Sequence, residues 1–305
     1  MTAPIVFQYP DRLWFLALIP ALLALYGLLS WRTASRLRRR GGDVLARLLP
    51  KQQAWKRHVA VLLALASLGS LTLAFAMPSG EVDVPRDRAT VCIAIDVSLS
   101  MEATDIDPSR LAAEKVAGQQ FVDLLPAGFN VSLVSFAGYG TLLVPPTTDR
   151  GLVKRSIENL QLNSFTSIAS GIDSCLDAMK LAPVDPKHPD QPPPGAIVLL
   201  SDGSTTVGRP SADAAADAKK AKIPVFTIAY GTANGYVVQN GRREYVPVDK
   251  RELQRIADVS GGEAFSAGSA SELRSVYASI AHEIGSEKAY QEITERFAGA
   301  AAVLA

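Results

Sequence analysis

Histidine and cysteine are scarce here, with three of the first and two of the second among 305 residues. Cys92 and Cys175 cannot build the disulfide framework of a small secreted domain. Both fall in apolar runs, so free buried thiols acting as small hydrophobes are preferred over a bridge. His58, His188 and His282 lie at the edge of an apolar block, in a proline-rich stretch and on a late helix. None belongs to a Ser/His/Asp arrangement. No glycine-rich loop ends in Lys-Ser or Lys-Thr, so the chain is not itself a P-loop ATPase. An excess of one charge is missing too. Basic residues number 31 and acidic ones 30, a formal net charge of +1 that removes any overall bias toward nucleic acid.

Apolar residues are plentiful, at 48% of the chain, and they concentrate in two blocks. Leu13 to Trp31 is 19 residues without a charge, bracketed by Arg12 and Arg32. At about 1.5 Å per residue it just spans a hydrocarbon core, with Trp14 and Trp31 at interfacial positions. A signal peptide would carry its basic residues ahead of a shorter run. Residues 58–77 form a second block of 20 residues without Asp, Glu, Lys or Arg. Both blocks are read as transmembrane helices. Between them, residues 32–57 hold nine basic residues against Asp43 alone. The positive-inside rule puts that loop in the cytoplasm, a simpler explanation than nucleic-acid binding, with anionic headgroups as a secondary attraction. Residues 1–12 and everything after Met77 are then extracytoplasmic. Residues 289–305 end in the uncharged run Phe297–Ala305 and are read as the start of a third span.

Residues 78–288 alternate strands and helices, which implies a doubly wound, mainly parallel α/β sheet. Val91–Ile95 and Ala196–Leu200 are too apolar for half-exposed strands and belong in a sheet covered on both faces. A helix over Arg110–Leu125 is expected to bury Leu111, Val116, Phe121, Leu124 and Leu125. Asn130–Ala137 is a strand, and Leu142–Val144 a short edge strand halted by Pro145-Pro146. Asp149 caps a helix, and Asp249 with Glu252 opens another as a capping-box variant. Asn240-Gly241 marks the turn of a hairpin within Tyr236–Val248.

The two buried strands both end on carboxylates, Asp96 and Asp202. Ligands of open α/β sheets bind at the carboxyl ends of strands. Asp96-Val97-Ser98-Leu99-Ser100 offers three hard oxygens in five residues, which suits Mg²⁺ better than Zn²⁺. Ser164, Thr166 and Ser167 precede the next helix and could fold over the same edge. Taken alone, a strand-ending Asp is often a cap and the serines after it ordinary turn residues. The repeat of the pattern at Asp202-Gly203 favours a site.

These residues carry a family resemblance. Asp96-Val97-Ser98-Leu99-Ser100 resembles the first motif of the metal-ion-dependent adhesion site (MIDAS) of von Willebrand factor A domains. Leu200-Ser201-Asp202-Gly203 is similar to the last motif, and Thr166 matches the middle threonine, although Ile168-Ala169 departs from the usual small residue and glycine. The resemblance covers residues 87 to 284. It implies a metal shell of Asp96, Ser98, Ser100, Thr166 and Asp202, a bound Mg²⁺ with Mn²⁺ or Ca²⁺ as alternatives, and an acidic residue from a partner protein completing coordination. The spans and external domain resemble bacterial membrane proteins of the aerotolerance (Bat) type. Arg86-Asp87-Arg88-Ala89 and Ala103 to Arg110 look closest to the actinobacterial members. That resemblance also implies a MoxR-type AAA+ ATPase as a cytoplasmic partner.

The expectation is therefore a non-enzymatic, membrane-anchored, metal-dependent protein-binding module in a bacterial cell membrane, a scaffold or chaperone-like part. Phosphoryl transfer through Asp96 is the runner-up, but Ser98 stands where a second carboxylate would act as acid/base. A structural membrane subunit with a degenerate metal site is the third reading.

Overall fold

A helix that is apolar all round has no face for water, and the first chain segment follows that rule. In a computed structural model describing residues 5–39, 54–86, 88–184, 194–239 and 241–305, the chain divides into two compact units, Met1–Val84 with Lys288–Ala305, and Pro85–Glu287. The first unit begins with β1 (Val6–Phe7), a 3₁₀ turn over Pro10–Ala17, and the helices α1 (Leu18–Arg39) and α2 (Ala54–Phe75). Stretches of 23 residues (Pro10–Arg32) and 21 residues (Trp55–Phe75) are long and apolar enough to cross a membrane, and their side chains are largely exposed. Met77, with φ at 51°, turns the chain from α2 into β2 (Pro78–Pro85). Most of the expected basic loop, residues 40–53, lies outside the described residues.

The second unit is an α/β sandwich. In order come β3 (Thr90–Asp96), α3 (Arg110–Leu124), β4 (Asn130–Phe136), β5 (Gly140–Thr147), α4 (Arg150–Glu158), α5 (Ile168–Met179), β6 (Gly195–Ser201), α6 (Ser211–Lys220), β7 (Val225–Tyr230), β8 (Tyr236–Gln239), β9 (Arg242–Tyr245), α7 (Lys250–Ser260), β10 (Ala264–Ala267) and α8 (Ala270–Gly285). Six strands form one sheet in the order β10-β7-β6-β3-β4-β5. All pairs are parallel except β4 with β5. β3 is central and fully buried, with Ile95 opposite Leu200 of β6 and Asp96 opposite Phe136 of β4. The side chains of β3 therefore alternate between two cores. Val91, Ile93 and Ile95 enter one with α3 and α8; Cys92 and Ala94 enter the other with α5, α6 and α7. The chain then returns to the first unit through β11 (Ser286–Glu292) and α9 (Thr294–Leu304). β11 joins β1 and β2 in a three-stranded sheet. The hydroxyls of Ser67 and Ser70 on α2 donate to the carbonyls of Ala301 (2.8 Å) and Phe297 (2.7 Å) on α9.

Four expectations need correction. Cys92 and Cys175 are not free thiols but a disulfide, with Cα atoms 5.7 Å apart. The alternation of β3 turns Cys92 toward α5, and Cys175 sits on the buried stripe Ile168, Ile172, Cys175, Met179 of that helix. Counting cysteines cannot show that the two stripes face each other. On α3, Val116 and Leu124 are 54% and 51% exposed instead of buried. The inward face carries Arg110, Glu114, Ala117 and Phe121, two of them charged residues that an apolar-period reading assigns to solvent. β5 also runs through Pro145-Pro146 to Thr147, which an edge strand tolerates because its outer N–H groups have no ladder partner. The caps at Asp149 and Asp249 are present, each accepting from backbone N–H groups of the first turn. The Asp249 box stays open, because the Glu252 carboxylate accepts from the Ser211 hydroxyl instead.

Glu114 is fully buried, and Tyr277 of α8 donates to its Oε1 at 2.5 Å. Burial pushes its carboxyl up to about 8, against that hydrogen bond. The unfolded chain thus releases this proton first, so stability falls as pH rises from the ordinary carboxyl range toward 8 and the loss is complete above it. Glu114→Gln, which cannot ionise, is expected to match the wild type near pH 4 and to exceed it by a few kcal/mol above pH 8 in denaturant melts. A pH-independent difference would contradict the assignment. For the disulfide, alkylation of the unfolded, unreduced chain is expected to label neither cysteine, and after reduction both; two adducts before reduction would refute the bridge.

Candidate metal centre

Parallel neighbours in register deliver their carboxyl ends to one edge, and β3 and β6 deliver Asp96 and Asp202 there. Both side chains are completely buried. Asp96 is held from two sides: the Ser98 N–H donates to Oδ1 at 2.8 Å, and the Ser201 hydroxyl to Oδ2 at 2.5 Å. Ser201 in turn accepts from the Gly203 N–H at 3.0 Å. Asp202 accepts from the Ser204 N–H at 3.1 Å, with the Ser100 hydroxyl close enough to favour its charged form. Ser98 and Ser100 hydroxyls lie 2.9 Å apart. Gly203 has φ at 86°, and a side chain there would collide with the Asp249 backbone, so the Asp-Gly pair is demanded by the turn.

The loop before α5 is stitched to both strand ends. Asn163 N–H donates to the Val97 carbonyl at 2.7 Å. Beyond Asp202, the N–H groups of Thr206 and Val207 donate to the Thr166 carbonyl at 2.9 and 3.1 Å, and the Thr166 N–H donates to the Thr206 hydroxyl at 2.8 Å. Thr166 is thereby fixed at its backbone and 4% exposed, while its hydroxyl has no hydrogen-bond partner among the described residues. Ser164 is exposed, and Ser167, though buried, sits at the helix N-cap.

Burial pushes the Asp96 carboxyl well up, and the neighbouring charge of Asp202 adds to the rise; the bonds from Ser201 and Ser98 only partly offset it. Burial raises Asp202 as well, against the bonds from Ser100 and Ser204 and the charge of Arg110. Two buried like charges ask for a cation. Part of it is supplied by Arg110, a residue for which the sequence suggested no role. Arg110 is wholly buried, with Nη1 3.3 Å from Asp202 Oδ2 and a two-pronged bond to Asp105 at 2.8 Å on each arm. Nη2 also donates to the Val246 carbonyl at 3.0 Å. Any side chain at Gly235 would overlap the guanidinium, so this glycine makes its space. Although burial pushes it up, bonds from Arg110 and Thr232 hold the Asp105 carboxyl below its ordinary range. One signal was available: an arginine in the first turn of a helix opposes the helix dipole and needs another reason to be there.

Among the described residues no three His, Cys, Asp or Glu side chains cluster as a metal cage. The donors at this edge are instead two carboxylates and three hydroxyls, an all-oxygen set that fits a hard divalent cation. The mutual repulsion of the buried Asp96 and Asp202 carboxylates is what such an ion would relieve.

Residues 91–204 match the family described as the von Willebrand factor type A domain. A UPF0353 protein of Mycobacterium sp. (strain KMS) is 42% identical over 288 residues, which are 92% of this chain and 86% of that protein. Among solved structures, BatB from Bacteroides thetaiotaomicron is similar at 25% identity and a TM-score of 0.55, over 64% of this chain and 97% of that one. Proximal thread matrix protein 1 from the mussel byssus, solved with a zinc-occupied MIDAS motif, shares the fold at 19% identity and a TM-score of 0.51, over 74% and 52% of the two chains.

Removing the buried guanidinium should leave two carboxylates uncompensated. Arg110→Met is expected to cost about 3–5 kcal/mol of unfolding free energy. In a double-mutant cycle with Asp202→Asn, a coupling above about 1 kcal/mol is expected. Additive losses would show that the pair does not interact.

Proposed function

The chain belongs to the UPF0353 family, with a von Willebrand factor type A domain as its α/β unit, and on that footing we propose that it is a membrane-anchored, metal-dependent protein-binding module. The observation that carries the reading is the pair of buried carboxylates at adjacent strand ends, with the paired hydroxyls of Ser98 and Ser100 following the first of them. Asp96, Ser98, Ser100, Thr166 and Asp202 would hold the ion, most suitably Mg²⁺, with Mn²⁺ or Ca²⁺ as substitutes. When bound, the ion supplies a positive centre that accepts a carboxylate from a partner protein. The residues themselves do the positioning: Ser201 and the Ser98 N–H orient Asp96, Arg110 orients Asp202, and the backbone bonds of Thr206 and Val207 hold Thr166. The zinc-occupied motif of the mussel protein supports metal binding by this fold.

The two apolar helices anchor the module, and the basic loop between them is assigned to the cytoplasm, so the α/β unit faces outward. A buried disulfide supports that side, since such bonds persist in oxidising compartments. A MoxR-type AAA+ ATPase would then meet the loop of residues 32–57; the support for it is the Bat resemblance.

Titration of Mn²⁺ into the full chain in detergent tests the reading. Saturable uptake of one ion per chain is expected from the wild type, none from Asp96→Ala or Asp202→Ala with intact circular dichroism, and at least tenfold weaker uptake from Thr166→Ala but not Ser164→Ala. A wild type that takes up no ion would favour the structural subunit with a degenerate site.

A further inference from the structure

Between β7 and α7 the chain makes an excursion at the same sheet edge as the carboxylates, and it holds the hairpin β8–β9. In register, Tyr236 faces Tyr245 and Val238 faces Arg243, and these four positions share one side of the ribbon because side chains alternate. Val238 is 59% and Tyr245 71% exposed. The Arg243 guanidinium lies 4.8 Å from the centre of the Tyr236 ring. On the other side Val237 is 4% exposed, and β8 packs beside the short helix Leu99–Glu102 that carries Ser100.

An isolated two-stranded ribbon is marginal in water, and this one buries few apolar side chains of its own. Its order comes from its base. The Val246 N–H donates to the Gly235 carbonyl at 2.9 Å, closing the ribbon. Arg110 reaches the Val246 carbonyl with one nitrogen and Asp202 with another. The Asp249 N–H donates to the Asp202 carbonyl at 2.7 Å. The hairpin and Asp202 are therefore positioned by one set of hydrogen bonds.

Two tyrosines and an arginine together on one face have the composition of an interaction hot spot, and Val238 adds exposed apolar area beside them. By the same alternation Arg242 and Glu244 belong to the opposite side, so Arg243 is the charge that this face presents. We propose that the Tyr236/Val238/Arg243/Tyr245 face is a second contact for the same partner that brings a carboxylate to the metal, and that this partner is an acidic protein segment with aliphatic or aromatic side chains between its carboxylates. The proposal rests on the metal-binding reading. The apolar side chains cover Val238 and the tyrosine rings, and a second carboxylate pairs with Arg243.

The test is selection of a displayed random peptide library on the full chain in nanodiscs with Mg²⁺. Enriched peptides are expected to combine acidic and apolar residues. Their affinity should fall at least tenfold on Arg243→Glu and on Tyr245→Ser, and both variants should take up Mn²⁺ as the wild type does. A peptide with one Asp changed to Lys should recover binding to Arg243→Glu. Peptides that bind both hairpin variants normally but lose binding with Asp96→Ala would overturn the hairpin contact and leave the metal reading standing. Binding indifferent to hairpin and Asp96 alike would overturn both, and a library with no enriched sequence would overturn the hairpin contact.

Discussion

Two carboxylates buried at the ends of adjacent parallel strands cannot both be charged without help, and much of the upper edge of the sheet answers that constraint. Asp96 is met by a hydroxyl and a backbone N–H, and Asp202 by a hydroxyl, a backbone N–H and a guanidinium. Each partner is itself fixed. Ser201 accepts from Gly203, and Arg110 is clamped by Asp105, which Thr232 holds in turn. The consequence is a set of oxygen atoms arranged by the protein alone; an ion bound as proposed would leave little rearrangement to be done.

The strand ends, their motifs and the mainly parallel sheet were legible in the sequence because they follow local rules: continuous apolar strands, a carboxylate at the end, hydroxyls at alternate positions. The hairpin was legible from its Asn-Gly turn, and the helix starts at Asp149 and Asp249 from their caps. Less visible was whatever depends on two distant segments meeting. Cys92 and Cys175 are 83 residues apart, and only the sheet order brings α5 over β3. Arg110 and Glu114 look like solvent positions on a helical wheel, yet both point into the core because Asp202 and Tyr277 wait there. Val116 and Leu124 fit an apolar period yet face solvent, the same effect in reverse. A buried charge inverts the apolar pattern of its helix.

The disulfide has a place in the same scheme. Cys92 lies on β3, the strand that ends in Asp96, and Cys175 on α5, the helix whose preceding loop carries Thr166. It therefore joins two of the elements that carry residues of the proposed metal shell. A helix packed by small and branched residues alone could slide; one bonded to the central strand holds its N-terminal loop at a fixed height.

The α/β unit is entered through β2 and left through β11, neighbouring strands of one sheet, with the Arg86 N–H bonded to the Gly285 carbonyl at one end and the Ile293 N–H to the Pro78 carbonyl at the other, both at 2.8 Å. It is an insert on two cords, not a bead on one. Two crossings of the chain join it to the rest of the protein, so a single proteolytic cut at either crossing would leave the α/β unit covalently attached through the other.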